Sequence, residues 1–225
     1  MGLLLIPFCA AVTLMIAGLL DSIQVAETRF LPAPGWAMLG GFLAWLMIYF
    51  TLPRPVRTYI LAHELTHALW GSLMGARISG MRISRESGSV TLSKTNFLVT
   101  LAPYFFPLYT VMTIIGYYIL GIFFAVEDYH LCWLALIGFT WGFHLTFTVS
   151  TLLQRQTDIR ECGHLFSYGV IYALNALGIA LWIVLVSSAS LEQMIQHFQS
   201  SMVAVSGAIF SRVSAVWRFF SEYAQ

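Results

Sequence analysis

The chain has 225 residues, of which 59% are hydrophobic and 9% charged, and its mean hydropathy is +0.79. A soluble domain of this length carries about a quarter charged residues, so a water-facing globule is excluded and the chain reads as a polytopic membrane protein in a lipid bilayer. The formal net charge of +1 supplies no basic surface, and no nucleic-acid partner is expected.

Leu3–Leu20 is the first uncharged run. It lacks the basic flank and the small-x-small site of a signal peptide, so it is expected to persist as a membrane helix. Asp21–Pro34 reads as a polar loop, and Trp36–Leu52 as a second span ended by Pro53-Arg54-Pro55. Val56–Gly75 follows as a third helix. Arg77–Lys94 changes character: it is rich in Arg, Ser and Gly, and the alternation Ser89-Val90-Thr91-Leu92-Ser93 predicts a β-hairpin with Gly88 near its turn. Phe97–Val126 is a long uncharged run interrupted by Pro103 and Pro107. Leu131–Leu153 and Leu165–Ser190 are the last spans, joined by a polar connector over Gln154–His164. Leu191–Gln225 places Leu191, Ile195, Phe198, Met202 and Val205 at helical spacing, the pattern of an interfacial amphipathic helix.

The expected fold class is therefore all-α, with about six transmembrane helices, a short membrane-associated hairpin and an amphipathic C-terminal helix. One intramembrane domain over 1–190, with its core at about 56–190, would precede that helix over 191–225. With the N-terminus outside, the inner loops hold Arg29, Arg77, Arg82, Arg85, Lys94, Arg155 and Arg160, against Arg54, Arg57, Arg212 and Arg218 outside. This bias puts the hairpin and the Gln154–His164 connector on the cytoplasmic side, in a multi-pass protein of the cell (inner) membrane. Cys9, Cys132 and Cys162 form no CxxC pair and no closed disulfide framework. Cys9 and Cys132 read as small hydrophobes inside helices.

His63-Glu64-Leu65-Thr66-His67 fits HExxH. Six histidines and seven glutamates in 225 residues give roughly 0.005 matches by chance. Helix positions i and i+4 share a face, with Cβ atoms ~5–6 Å apart, so two imidazoles can reach one Zn²⁺. Glu64 follows the first imidazole and can face a water beside the metal. Ionisable groups in a membrane helix are costly and usually functional. Two histidines do not complete a catalytic zinc site, whose norm is three protein ligands. Asp158, Glu161, Cys162, His164, His144 and His130 are the remaining donors. His144, inside a span, also suits a hydrogen-bonding role.

His63-Glu64-Leu65-Thr66-His67-Ala68-Leu69-Trp70 resembles the catalytic helix of the site-2 protease family of intramembrane metalloproteases. Gly75-Ala76-Arg77-Ile78, the hairpin and Leu101-Ala102-Pro103 resemble that family's next elements in order, and the likeness runs from about Tyr59 to Asn175. The family's usual Leu-Asp-Gly is absent around Asp158, and no PDZ-like insertion fits between the spans. The resemblance implies an intramembrane zinc metalloprotease cutting transmembrane or membrane-anchored protein substrates. It implies His63, His67 and Asp158 as zinc ligands, Glu64 as general base, and a hairpin that binds unwound substrate by strand addition. The competing class is a catalytically silent zinc-binding relative acting as a scaffold for substrates or partners; a complete HExxH speaks against it. A metal transporter is disfavoured by uncharged spans, and a protease of the prenyl-protein type by the lack of a second Glu-x-x-x-His helix.

Overall fold

The structure, a computed structural model, describes residues 2–23, 32–84 and 87–223. Arg29 and Arg85, counted above for orientation, lie outside the described residues. In chain order the elements are α1 (Gly2–Ser22), α2 (Ala33–Thr51), α3 (Val56–Leu73), β1 (Ile78–Ile83), β2 (Gly88–Leu92), α4 (Phe97–Phe105), α5 (Leu108–Phe123), α6 (His130–Leu152), α7 (Thr157–Cys162), α8 (His164–Val186) and α9 (Leu191–Tyr223). The protein is mostly helical and belongs in a membrane: α1, α2, α6 with the turn before it, α8 and α9 are each long and apolar enough to cross one.

Several expectations need correction. α2 and α6 run parallel, Trp45 against Phe143 and Tyr49 against Phe147, and Arg54 lines one cleft with Gln154, so Arg54 and the Gln154–His164 connector lie at the same end of these helices and not on opposite sides of the membrane. Phe97–Val126 is not one straight helix: α4 and α5 meet at a bend of 75°, as in a broken span or a re-entrant loop. Pro107 lacks an N–H and its ring clashes with the preceding turn, which ends α4 at Phe105 and leaves Phe106 extended. The Gln154–His164 connector is also not plain loop. It contains α7, closed by Gly163 at φ +86°, a left-handed conformation that suits glycine. α3 is not among the apolar spans, because Arg57, His63, Glu64 and His67 make it too polar to count by composition.

Two compact units make up the chain. The first comprises Met1–Phe30 and Leu165–Gln225. Here Val12, Met15 and Leu19 of α1 pack on Ala176 and Ala180 of α8 and on Ala189. Phe8 meets Phe198 of α9 edge to face, with centroids 5.7 Å apart. Ser190 and Gln193 cap α9 reciprocally, Ser190 Oγ accepting from Gln193 N–H and Gln193 Oε1 from Ser190 N–H. Farther along α9, Phe210, Val213 and Trp217 are exposed.

The second unit spans Leu31–His164. α2 and α6 cross at backbone contact. A Cβ at Gly41 would fall on the Ala135 carbonyl and one at Gly138 on the Met38 carbonyl, so only glycine permits the approach. Overpacking of such a seam costs roughly 1–3 kcal/mol or more. Trp45, Tyr49, Phe143 and Phe147 fill the seam, and Tyr59 of α3 stacks on Phe147 at 4.7 Å. α3 ends in a Schellman turn: Gly75 at φ +74° lets Ala76 N–H reach the Gly71 carbonyl and Gly75 N–H the Ser72 carbonyl. That reversal sends the chain back along α3 as the antiparallel hairpin, with Leu92 of β2 seated over Gly71.

Candidate metal centre

Helical periodicity puts His63 and His67 on one face of α3, their Nε2 atoms 3.2 Å apart. Asp158 lies in the first turn of α7. Buried Ile159 packs there where α7 meets α4, and Tyr104 of α4 donates its hydroxyl to Asp158 Oδ2 at 2.9 Å. Oδ2 then stands 3.4 Å from His63 Nε2 and 3.6 Å from His67 Nε2. Among the described residues this is the one group of three metal-binding side chains brought together. The imidazoles are 12% exposed and the carboxylate 20%, so the site is largely shielded from water.

The donor set fits a metal ion. Ligand atoms about 2.0–2.2 Å from a tetrahedral zinc stand roughly 3.3–3.6 Å from one another; the three observed separations of 3.2, 3.4 and 3.6 Å lie close to that range. Proton accounting agrees. The Val99 carbonyl, 2.9 Å away, can only accept, so it takes the proton of His67 Nδ1. That leaves Nε2 turned toward His63 and Asp158, the atom that would bind a metal once it gives up any second proton. Tyr59, one turn before His63, meets His63 Nδ1 at 3.2 Å and fixes that ring. Burial acts to raise the Asp158 carboxyl, but His63 and His67 outweigh it and hold the group well below the ordinary carboxylate range. Asp158 is thus ionised at neutral pH, as a ligand must be.

Glu64, 7% exposed, sits beside the triad on the wall of an open cleft of about 1080 Å³. A Cβ at Gly88 would come within 2.6 Å of Glu64 Cγ and 2.7 Å of its Oε1, so the bare backbone of β2 abuts the carboxylate. All five residues of β2 line this cleft, and β2 pairs with β1 on one side only. The register matches Val90 with Met81 and Ser89 with Arg82, and Ser84 N–H bonds to the Ser87 carbonyl. Alternation along an antiparallel ladder then turns Ser87, Ser89 and Thr91 toward β1, and the N–H and C=O of Gly88 and Val90 toward the open edge.

Of the other donors weighed from sequence, His144 is buried on α6 and borders a narrow cavity behind His63, outside the triad. Glu161 lines the cleft. His130 rests near Trp133 at the start of α6. The three cysteines are free, with Cys132 exposed. Sequence reasoning passed over Tyr59, Val99 and Tyr104. Tyr59 carried a signal, its i−4 spacing from His63; the other two reach the site only through tertiary packing. No protein-family model matches the chain, and no curated protein or solved structure matches it significantly.

Proposed function

We propose that the chain is an intramembrane zinc metalloprotease of the site-2 protease type, a multi-pass protein of the inner membrane that hydrolyses peptide bonds of membrane-anchored proteins. The observation that carries this reading is the triangle of His63 Nε2, His67 Nε2 and Asp158 Oδ2, with Glu64 beside it on the wall of an open cleft. His63, His67 and Asp158 hold the zinc, which when bound supplies a Lewis acid for the scissile carbonyl and lowers the pKa of water. Glu64 takes a proton from the attacking water. The water oxygen adds to the carbonyl carbon, the C–N bond breaks, and Glu64 returns the proton to the leaving amine nitrogen. Tyr59 and the Val99 carbonyl keep the imidazoles in ligand orientation, and Tyr104 does the same for Asp158. A helical substrate shields its own peptide bonds. The outward backbone of Gly88 and Val90 gives an unwound segment the partners that a dry site otherwise withholds.

The test is Glu64→Gln, which keeps size and polarity but removes the base. Zinc content stays at the wild-type level, and cleavage of a transmembrane-segment substrate falls by ~10²–10⁴. Cleavage at near wild-type rate in Glu64→Gln would refute the mechanism. Absence of cleavage by wild type across such substrates would favour the silent scaffold.

A further inference from the structure

Glu64 and Gly88 separate two clefts. The first, along β2, runs from Gly88 to Leu92 and is lined also by Glu161. The second, of about 960 Å³, lies beyond Gly88 and is lined by Arg54, Ser150, Thr151 and Gln154. His63, Glu64, Gly88 and Gln156 belong to both walls, so the clefts meet at the proposed reacting centre.

The two arms differ in charge. Among the described residues, and apart from the triad and Glu64, the charged side chain lining the first arm is Glu161, and that lining the second is Arg54. Neither forms an ion pair among the described residues. The Arg54 guanidinium carbon lies 4.5 Å from the centroid of the Tyr49 ring. Stacking on one face leaves the in-plane N–H groups free for a carboxylate. β2 runs from Gly88, at the junction, to Leu92, away from it. A substrate strand added antiparallel, the more stable pairing, travels the opposite way, and its carboxyl side passes into the Arg54 arm.

We propose that the two clefts form one substrate groove in which Arg54 selects an acidic side chain on the carboxyl side of the scissile bond, with Glu161 opposing acid on the amino side. The proposal rests on the peptidase reading above and adds the substrate class and its direction. Three otherwise identical transmembrane peptides, carrying Ala, Glu or Lys a few residues past the cleaved bond, test it in detergent micelles. Wild type favours the Glu peptide over the Ala peptide by roughly tenfold in kcat/KM, the scale of one charge-assisted hydrogen bond. The difference lies in KM, because the contact is made equally in ground and transition states. Arg54→Gln brings the ratio to about one, and Arg54→Glu turns the preference to the Lys peptide. If Arg54→Glu does not fold, Arg54→Gln alone decides. Equal cleavage of all three peptides by wild type, or a Glu preference that survives Arg54→Gln, overturns the selection and leaves the peptidase reading standing. Cleavage of none of them overturns both.

Discussion

Tyr104→Phe separates orientation of a ligand from its basicity. Tyr104 is fully buried and its ring faces His63 edge-on at 5.3 Å, so phenylalanine keeps the packing and deletes one oxygen. What is lost is the 2.9 Å hydrogen bond to Asp158 Oδ2, the same oxygen that faces both imidazoles. Two effects compete. Without the donor the carboxylate is a stronger base and a better ligand. Without the donor it is also less firmly oriented, since its remaining contacts are Thr157 Oγ1 to Oδ1 at 3.5 Å and the two imidazoles, which are ligands themselves. Asp158 stands on a helix of six residues, which gives little rigidity of its own. A hydrogen bond to a charged group is worth about 1.5–3 kcal/mol, which at 1.4 kcal/mol per decade is roughly 10–100-fold in zinc affinity. That equals the usual cost of losing a residue that orients a metal ligand. Orientation therefore wins, and Tyr104→Phe weakens zinc about 10–100-fold in a competitive chelator titration at fixed pH, with helix content by circular dichroism unchanged. Zinc bound as tightly as in wild type, or more tightly, would refute the reasoning and assign Tyr104 to packing alone.

Two further outcomes follow from the same geometry. Asp158→Ala leaves two imidazoles and loses most of the bound zinc in metal analysis of the purified protein; unchanged zinc would remove Asp158 from the ligand set and turn attention to Glu161 or His144. Val90→Pro deletes an N–H on the open edge of β2, and cleavage falls by roughly tenfold with zinc retained, whereas Thr91→Pro breaks the hairpin ladder itself and lowers thermal stability as well. Full activity in Val90→Pro would end the strand-addition idea and leave the zinc chemistry untouched.

What the sequence determined by itself is what depends on near neighbours. Membrane residence follows from composition, because too few charges exist to coat the surface. The convergence of His63 with His67 follows from helical pitch, and the hairpin after α3 from two-residue alternation and glycine. Pro107 was legible as an interruption, whereas Pro103 lies inside α4; the 75° bend was not legible, since a proline ends a helix without saying where the next one points. The residues by themselves left open which donor joins the histidines; the family resemblance pointed to Asp158, and the tertiary structure brings that carboxylate to them. Apart from the resemblance, Asp158, Glu161 and His164 look alike in a polar connector, and no residue near Asp158 in sequence marks it out. It is singled out by α7 packing on α4 and by Tyr104, whose hydroxyl reaches across 54 positions to its carboxylate. Val99 is as silent in sequence, because its part is played by a backbone carbonyl that every residue possesses. Which backbone groups β2 turns to its open edge was likewise invisible until the register was known. A strand of alternating residues can turn either set of backbone groups outward, and only its pairing with β1 selects Gly88 and Val90.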